Sequence, residues 1–269
     1  MPNLYIVATP IGNLEDISLR ALRILGQVSL IAAEDTRKTK RLLAAYGIKT
    51  PLTSYHEHNK KAKLPYLLRR LQEQDVALVS EAGMPGISDP GYELVVAASE
   101  QGIPVVPIPG ASVLVTALAV SGLPSDQFVY LGFLPRKKGQ RKRLLEQISV
   151  EERTILAFEA PHRLISALGD ILEVLGDRRV AICRELTKIH EEVFRGTVSA
   201  ALEHFAEPRG EFTLVIEGSP AKRQPAEDFE GELRLLYEKG VSAKEAVSQV
   251  AKATGASKKE LYQIWLKLS

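Results

Sequence analysis

Residues Leu78–Gly91, LVSEAGMPGISDPG, constrain the fold of this chain more than any other segment. An apolar run, Val76 to Val79, breaks off into a stretch built on Gly83, Pro85, Gly86, Pro90 and Gly91. A buried parallel strand reads this way when it empties into a loop whose backbone approaches a ligand closely. The same pattern recurs at Val105-Val106-Pro107-Ile108-Pro109-Gly110-Ala111-Ser112, and at Leu4 to Val7 followed by Ala8-Thr9-Pro10-Ile11-Gly12-Asn13. Three such exits in the first half predict one crevice along the carboxyl edge of a sheet, and a small-molecule site within it.

At 269 residues the chain exceeds what a single core usually organises, so two domains are expected. Its 45% hydrophobic and 25% charged content is ordinary for a globular protein. No apolar run approaches the roughly 20 residues of a spanning helix, and Met1-Pro2-Asn3 leads directly into a strand without a leader pattern. Cys183 is the single cysteine, which excludes an intrachain disulfide or a cysteine-based zinc site. A cytoplasmic protein with no membrane partner follows as the expectation. A net charge of +2 permits a nucleic-acid partner only through a local basic patch. One candidate is the segment Arg136, Lys137, Lys138, Arg141, Lys142 and Arg143, which has no compensating acid within it. It reads either as a solvated helix start or as a face for a polyanion.

Strand-like and helix-like segments alternate through the first half. Leu4–Ala8, Leu30–Ala33, Val76–Ser80 and Val105–Ile108 read as strands. Ile17–Leu25, Thr36–Tyr46, Lys61–Gln74, Tyr92–Gln101 and Ser112–Val120 read as helices. That alternation predicts a mostly parallel sheet with crossover helices, an α/β domain spanning residues 1–120. A boundary is expected at Ser121-Gly122-Leu123-Pro124-Ser125-Asp126. Beyond it, strands Phe128–Phe133, Thr154–Phe158, Val180–Arg184, Glu192–Arg195 and Phe212–Glu217 are interleaved with helices Arg141–Ile148, Arg163–Leu175 and Val198–Phe205. Two of those strands follow one another directly, which predicts a mixed sheet in a second α/β domain, 121–218. Ser219–Asp228 reads as a linker. Residues 229–269 read as a small helical appendage of three helices, Glu230–Lys239, Ala243–Ala253 and Lys258–Lys267. Its Gly255-Ala256-Ser257 corner suits a docked helical hairpin or a helix-turn-helix module, the hairpin being the commoner outcome.

The glycine- and proline-rich exits match neither the dinucleotide fingerprint nor a Walker A loop, since no G-x-G-x-x-G and no Gly-Lys-Ser/Thr occurs. Proline removes a donor and keeps its carbonyl, so these loops are richer in acceptors than donors. A pocket of that kind suits an ammonium or sulfonium better than a phosphate.

Several segments together resemble a known family. They are Ala8-Thr9-Pro10-Ile11-Gly12-Asn13-Leu14-Glu15-Asp16-Ile17, Glu34-Asp35-Thr36-Arg37, Ser54-Tyr55-His56-Glu57-His58-Asn59 and the Leu78–Gly91 run. In the second half they are Leu123-Pro124-Ser125-Asp126, Gly132-Phe133-Leu134-Pro135-Arg136-Lys137, Phe158-Glu159-Ala160-Pro161-His162-Arg163, Arg184-Glu185-Leu186-Thr187-Lys188 and Gly210-Glu211-Phe212-Thr213-Leu214. In this order, from Leu4 to about Gly218, they are similar to the ribosomal RNA small subunit methyltransferase I group of the tetrapyrrole methylase superfamily. The resemblance implies methyl transfer from S-adenosylmethionine to the 2′-hydroxyl of a cytidine in 16S rRNA of the small ribosomal subunit. It also implies two α/β domains of the tetrapyrrole methylase type, with the cofactor in the cleft between them, and a homodimer. Carried over by position, the cofactor residues are Pro10, Ala82, Gly83, Met84, Ile87, Ser112, Val113, Glu159, Leu186 and Thr213. The sequence departs from the family pattern at Glu81 and Met84, where Asp and Thr are common, and at Ala160, often Ser.

A ribose hydroxyl is a weak nucleophile at neutral pH and needs a base or an adjacent cation. Glu34, Asp35, Arg37, His56, Glu159, His162, Arg163, Arg184 and Lys188 all fall at strand ends or in the loops after them. Among them Asp35 or His56 is expected near the target ribose, with Arg37 on a phosphate. Asp35 can equally be the cap of the helix starting at Thr36, and Ser112 can cap the helix that follows it. His56 with His58 is a weak metal pattern, and no metal is expected. Two other functions remain open on the sequence: methylation of a tetrapyrrole carbon, and non-catalytic RNA binding during subunit assembly.

Overall fold

The computed structural model describes residues 2–87, 89–219, 229–254 and 256–268. The chain divides into two compact units, Met1–Gly218 and Ser219–Ser269. Two five-stranded sheets are present among the described residues, both in the first unit.

Strands β1 (Leu4–Val7), β2 (Leu30–Ala33), β3 (Leu52–Ser54), β4 (Val76–Val79) and β5 (Val105–Ile108) make the first sheet, in the order β3-β2-β4-β1-β5 and parallel throughout. Alternate side chains of a strand point to opposite faces, so a strand covered on both sides must be apolar at every position. That is the case in β2 and β4, where every residue is buried. One face packs Val7, Ile31, Ala33 and Val79 against helices α1 (Leu19–Gln27) and α2 (Thr36–Ala45), through Leu25 and Leu43. The other packs Leu4, Ile6, Leu30 and Leu78 against α3 (Lys60–Leu71) and α4 (Gly91–Glu100), through Leu67 and Leu94.

Helix α5 (Val113–Ser121) follows the first sheet in sequence but lies on the second. That sheet contains β6 (Phe128–Phe133), β7 (Thr154–Glu159), β8 (Arg179–Arg184), β9 (Glu192–Thr197) and β10 (Phe212–Ile216), ordered β6-β7-β10-β8-β9. Only β6 and β7 run parallel; the other pairs are antiparallel, as the two successive strands required. Leu114, Ala117 and Leu118 of α5 bury against Leu156, Ala181 and Val215. Burial of each such leucine is worth roughly 1.5–3 kcal/mol. The opposite face is closed by α6 (Lys138–Gln147), α7 (Pro161–Leu175) and α8 (Val198–His204), through Leu145, Leu164, Leu168 and Val198.

Several expected bounds shift. Strand β3 has no counterpart in the sequence reading, because three residues at a sheet edge carry too little periodicity. Helix α5 begins after Ser112, α6 starts three residues earlier than expected, and α3 ends at Leu71 despite Pro65 within it. The expected linker lies outside the described residues apart from Ser219, and so does Gly255 of the predicted corner. In the second unit, α9 (Phe229–Glu238), α10 (Ala243–Thr254) and α11 (Lys258–Leu268) enclose their own core of Leu233, Ala246, Val250, Leu261 and Trp265. No helix among the described residues is long and apolar enough to cross a membrane.

Candidate active site

Strands β1 and β4 are neighbours, yet their following helices depart to opposite faces, α1 to one and α4 to the other. Such a switch opens a crevice at the carboxyl ends of the strands. There the two loops are stapled together: Thr9 N–H donates to Gly83 O at 2.9 Å, and Gly83 N–H returns to Thr9 O at 3.0 Å. Gly83 holds φ at +82°, which a side chain would oppose. Two buried hydroxyls tighten the staple, Thr9 Oγ1 donating to Ser80 O at 3.4 Å and Ser80 Oγ to Gly83 O at 3.2 Å. These carbonyls are already engaged. Carboxylates add negative charge beside the staple.

A cavity of about 380 Å³ opens beside the staple. Ile11, Ile87, Val113, Phe133, Phe158 and Leu186 form its apolar walls, and the Phe133 and Phe158 rings meet edge to face at 5.4 Å. Six acidic residues border it, Glu34, Glu81, Asp89, Glu159, Glu185 and Glu211, of which Glu159 has its side chain fully buried. Burial raises the Glu34 carboxyl above its ordinary range, with Asp89, Glu81 and Asp35 adding repulsion; the Glu81 N–H, at 3.0 Å, opposes the shift. Burial also raises Glu159, against a 2.8 Å bond from Ala160 N–H and the Arg163 guanidinium at 2.5 Å from its Oε1. Its other oxygen, Oε2, is buried without a hydrogen-bond partner in the protein. An unpaired buried carboxylate oxygen is costly, which adds to the upward push on this carboxyl. Cys183 also borders the cavity, but burial pushes its thiol up to about 11, so it is protonated and inert at neutral pH.

A second cavity, about 340 Å³, shares Ile11, Ser80, Glu81, Ala82 and Glu211 with the first. Its further lining includes Thr9, Pro10, Gly12 and three cations, Lys38, Arg41 and Lys188. Lys188 comes from the loop after β8, where Glu185 (φ +50°) and Thr187 (φ +66°) are held in the left-handed region. Such strain persists only where surrounding bonds over-determine it. Glu185 Oε1 accepts from Lys188 Nζ at 2.9 Å and from Glu211 N–H at 2.8 Å, while Thr187 N–H donates to Glu191 at 2.5 Å. Thr187 Oγ1 accepts the Asn13 N–H at 3.0 Å, linking this loop to the one after β1. The approach is so close that a Cβ on Gly12 would stand 2.5 Å from Lys188 Cγ and 2.8 Å from Leu186 O.

Of the expected cofactor residues, Ala82, Ile87, Val113, Glu159, Leu186 and Thr213 line the first cavity, and Pro10 the second. Gly83, Met84 and Ser112 line neither. Gly83 forms the staple, Met84 packs against the first-sheet core, and Ser112 occupies the α5 N-cap position without a side-chain capping bond. Asp35, Arg37 and His56 also lie outside both linings. Asp35 Oδ1 caps α2, accepting from Arg37 N–H at 2.8 Å and Lys38 N–H at 3.3 Å, and its other oxygen pairs with Arg37. The bond from the Arg37 side chain holds that carboxyl below its usual range. His56 keeps Nδ1 buried and unpartnered, 6.0 Å between ring centroids from His58. Among the described residues no group of three or more His, Cys, Asp or Glu could hold a metal ion.

The basic segment is less uniform than its sequence suggested. Arg141 turns inward, 3% exposed, with Nε 2.8 Å from Asp170 Oδ2. It cannot meet a polyanion there. Lys142 pairs with Glu173, and Lys138 stands 3.9 Å from Asp170. The compensating acids come from α7, far along the chain. Arg136, Lys137 and Arg143 are exposed and form no ion pair among the described residues. The sequence reading did not single out Phe133, Phe158, Asp89, Glu211, Lys38 or Arg41 as site residues. The Gly132-Phe133-Leu134-Pro135 strand exit carried a signal for the first; the i,i+3 pair on α2 carried one for the last two.

The family model of tetrapyrrole (corrin/porphyrin) methylases matches residues 3–202, and that of the RsmI C-terminal HTH domain matches residues 224–269. Ribosomal RNA small subunit methyltransferase I of Halalkalibacterium halodurans is 49% identical, over 97% of this chain and 94% of that protein. The protein of the same name from Thermotoga maritima is 54% identical, over 81% of this chain and 99% of its own length. The solved structure of a cobalt precorrin-4 methyltransferase superposes with a TM-score of 0.58 at 18% identity, covering 79% of this chain and 94% of that one. That last similarity is one of fold.

Proposed function

This chain belongs to the ribosomal RNA small subunit methyltransferase I family of the tetrapyrrole methylases, and on that footing we propose that it methylates the 2′-hydroxyl of a cytidine in 16S rRNA. Its methyl donor is S-adenosylmethionine, which supplies an electrophilic methyl on a sulfonium when bound. The observation that carries the reading is the acid-bordered cavity of about 380 Å³ at the switch between β1 and β4. Its exposed carboxylates favour a cation, and its phenylalanine edges suit a flat heterocycle.

The chain's own contribution is alignment and charge. In-line attack gains up to ~7–11 kcal/mol from holding both reactants in place. Glu34, Glu81 and Asp89 hold positive charge in the first cavity, while Lys38 and Lys188 border the second. Asp35 and His56 remain candidates near the acceptor ribose, with Arg37 toward a phosphate. The Asp35 carboxylate already serves the α2 cap.

Incubating purified protein with small ribosomal subunits and labelled donor tests the proposal. Alkaline hydrolysis should leave the label in an alkali-resistant dinucleotide beginning with cytidine, because a 2′-O-methyl blocks strand cleavage. Label in an ordinary mononucleotide would assign the methyl to a base and defeat the 2′-O reading.

A further inference from the structure

The second cavity differs in kind from the first, and its chemistry points to a separate ligand. Lys38 and Arg41 are one turn apart on α2 and present their charges on the same side. Lys188 reaches the same space from the loop after β8, on the other lobe. Glu81 and Glu211 stand in the wall common to both cavities, and each engages one of these lysines: Lys38 pairs with Glu81, and Lys188 Nζ lies 2.8 Å from Glu211 Oε2. Arg41 forms no ion pair among the described residues.

We infer that this cavity receives the sugar–phosphate backbone of the acceptor strand, with Lys38, Arg41 and Lys188 contacting its phosphates. The inference rests on the RNA-methylation reading and gives that reading an acceptor subsite. A ribose within reach of the donor cavity brings phosphates on both sides of it, so cations must stand at the common wall and not only on a distant arm. Ile11, Ser80 and Ala82 form that wall, and the three cations surround it. Half-exposed Lys–Glu pairs such as Lys38–Glu81 are weak in water and exchange readily for a phosphate. The basic segment, by contrast, turns Arg141 inward and engages Lys142 with α7.

The test compares the full-length protein with Lys38→Ala/Arg41→Ala and with Lys188→Ala, using small ribosomal subunits that lack the methyl group. For the double variant, the subunit KM should rise by about tenfold or more at moderate salt, and the log K against log[salt] slope should shrink by roughly 0.7 for each phosphate no longer neutralised. Donor affinity, measured by calorimetry, should stay within about twofold, as expected of phosphate-binding cations separate from the donor. Because Lys188 also braces Glu185, Lys188→Arg should restore the slope where Lys188→Ala does not. Unchanged KM and slope in the double variant, with wild-type transfer intact, would overturn the subsite and leave the methylation reading standing. Loss of donor affinity alongside RNA affinity would assign these residues to the first cavity and overturn it too. A wild-type protein that binds the donor but labels no RNA would remove the underlying reading instead.

Discussion

The two halves of the Met1–Gly218 unit bury different chemistry. Around the first sheet the buried polar side chains are hydroxyls, those of Thr9, Thr39 and Ser80, with that of Ser121 at the end of α5. Around the second they include four charged groups, Arg141, Glu159, Asp170 and Arg178. The first half therefore buries short neutral groups, some of them within the staple beside the cleft. The second buries ions that need partners, and Arg178 finds three carbonyls, those of Leu175, Ser149 and Glu217, at 3.1, 2.5 and 3.3 Å. A neutral staple tolerates small movements, while a buried ion fixes its neighbours or destabilises them. Sensitivity to single substitutions should therefore be unequal between the halves.

The largest effect belongs to Asp170→Ala. It strands Arg141 at 3% exposure beneath α6, and removing one partner of a buried pair costs about 3–5 kcal/mol. Chemical denaturation should show that loss, whereas Ser80→Ala in the first half should cost no more than about 1–3 kcal/mol for its hydroxyl bonds. Equal costs would erase the contrast between the halves.

Glu159→Gln should come next, and in function before stability. The amide preserves the shape but removes the charge of a fully buried carboxylate behind the cavity wall that pairs with Arg163, and a hydrogen bond to an ionised group is worth about 1.5–3 kcal/mol. Donor affinity by calorimetry should fall accordingly, roughly 10- to 150-fold. Wild-type affinity in this variant would mean that this charge does not act on the donor, and would move donor selectivity to the carboxylates on the first-sheet side.

The same contrast explains what could be read from the sequence. The first sheet is legible because its strands are covered on both faces and end in glycine and proline, as at Val79 and Ile108. The parallel sense of those strands and the expectation of a crevice follow from those signals, while the strand order does not. The acid that neutralises Arg141 is not legible, since Asp170 lies on another helix and only packing brings them together. For the same reason Phe133 and Phe158 read as ordinary strand residues, though the fold sets them at a cavity wall. Strand β3 was too short to announce itself, and Asp35 carried two readings of which its geometry displays the cap.

The smallest effect concerns pH and tests whether Glu34, on the first-sheet side, resembles the buried ions of the other half. Burial raises its folded-state pKa above the unfolded value, so the folded chain binds that proton more tightly than the unfolded chain does. Its contribution to stability is thus greatest below the ordinary carboxylate range. It falls as pH rises toward the raised value and is constant above it. Replacing Glu34 by Gln keeps an oxygen for the Glu81 N–H and removes the titration. The difference in Tm between variant and wild type should therefore grow in the variant's favour through that window, by roughly 1–2 °C for a group still partly open to water. A difference flat with pH would show that Glu34 ionises as freely in the cleft as in the unfolded chain. The first half would then keep no strained charge at all, and the asymmetry between the halves would be sharper than the burial pattern alone implies.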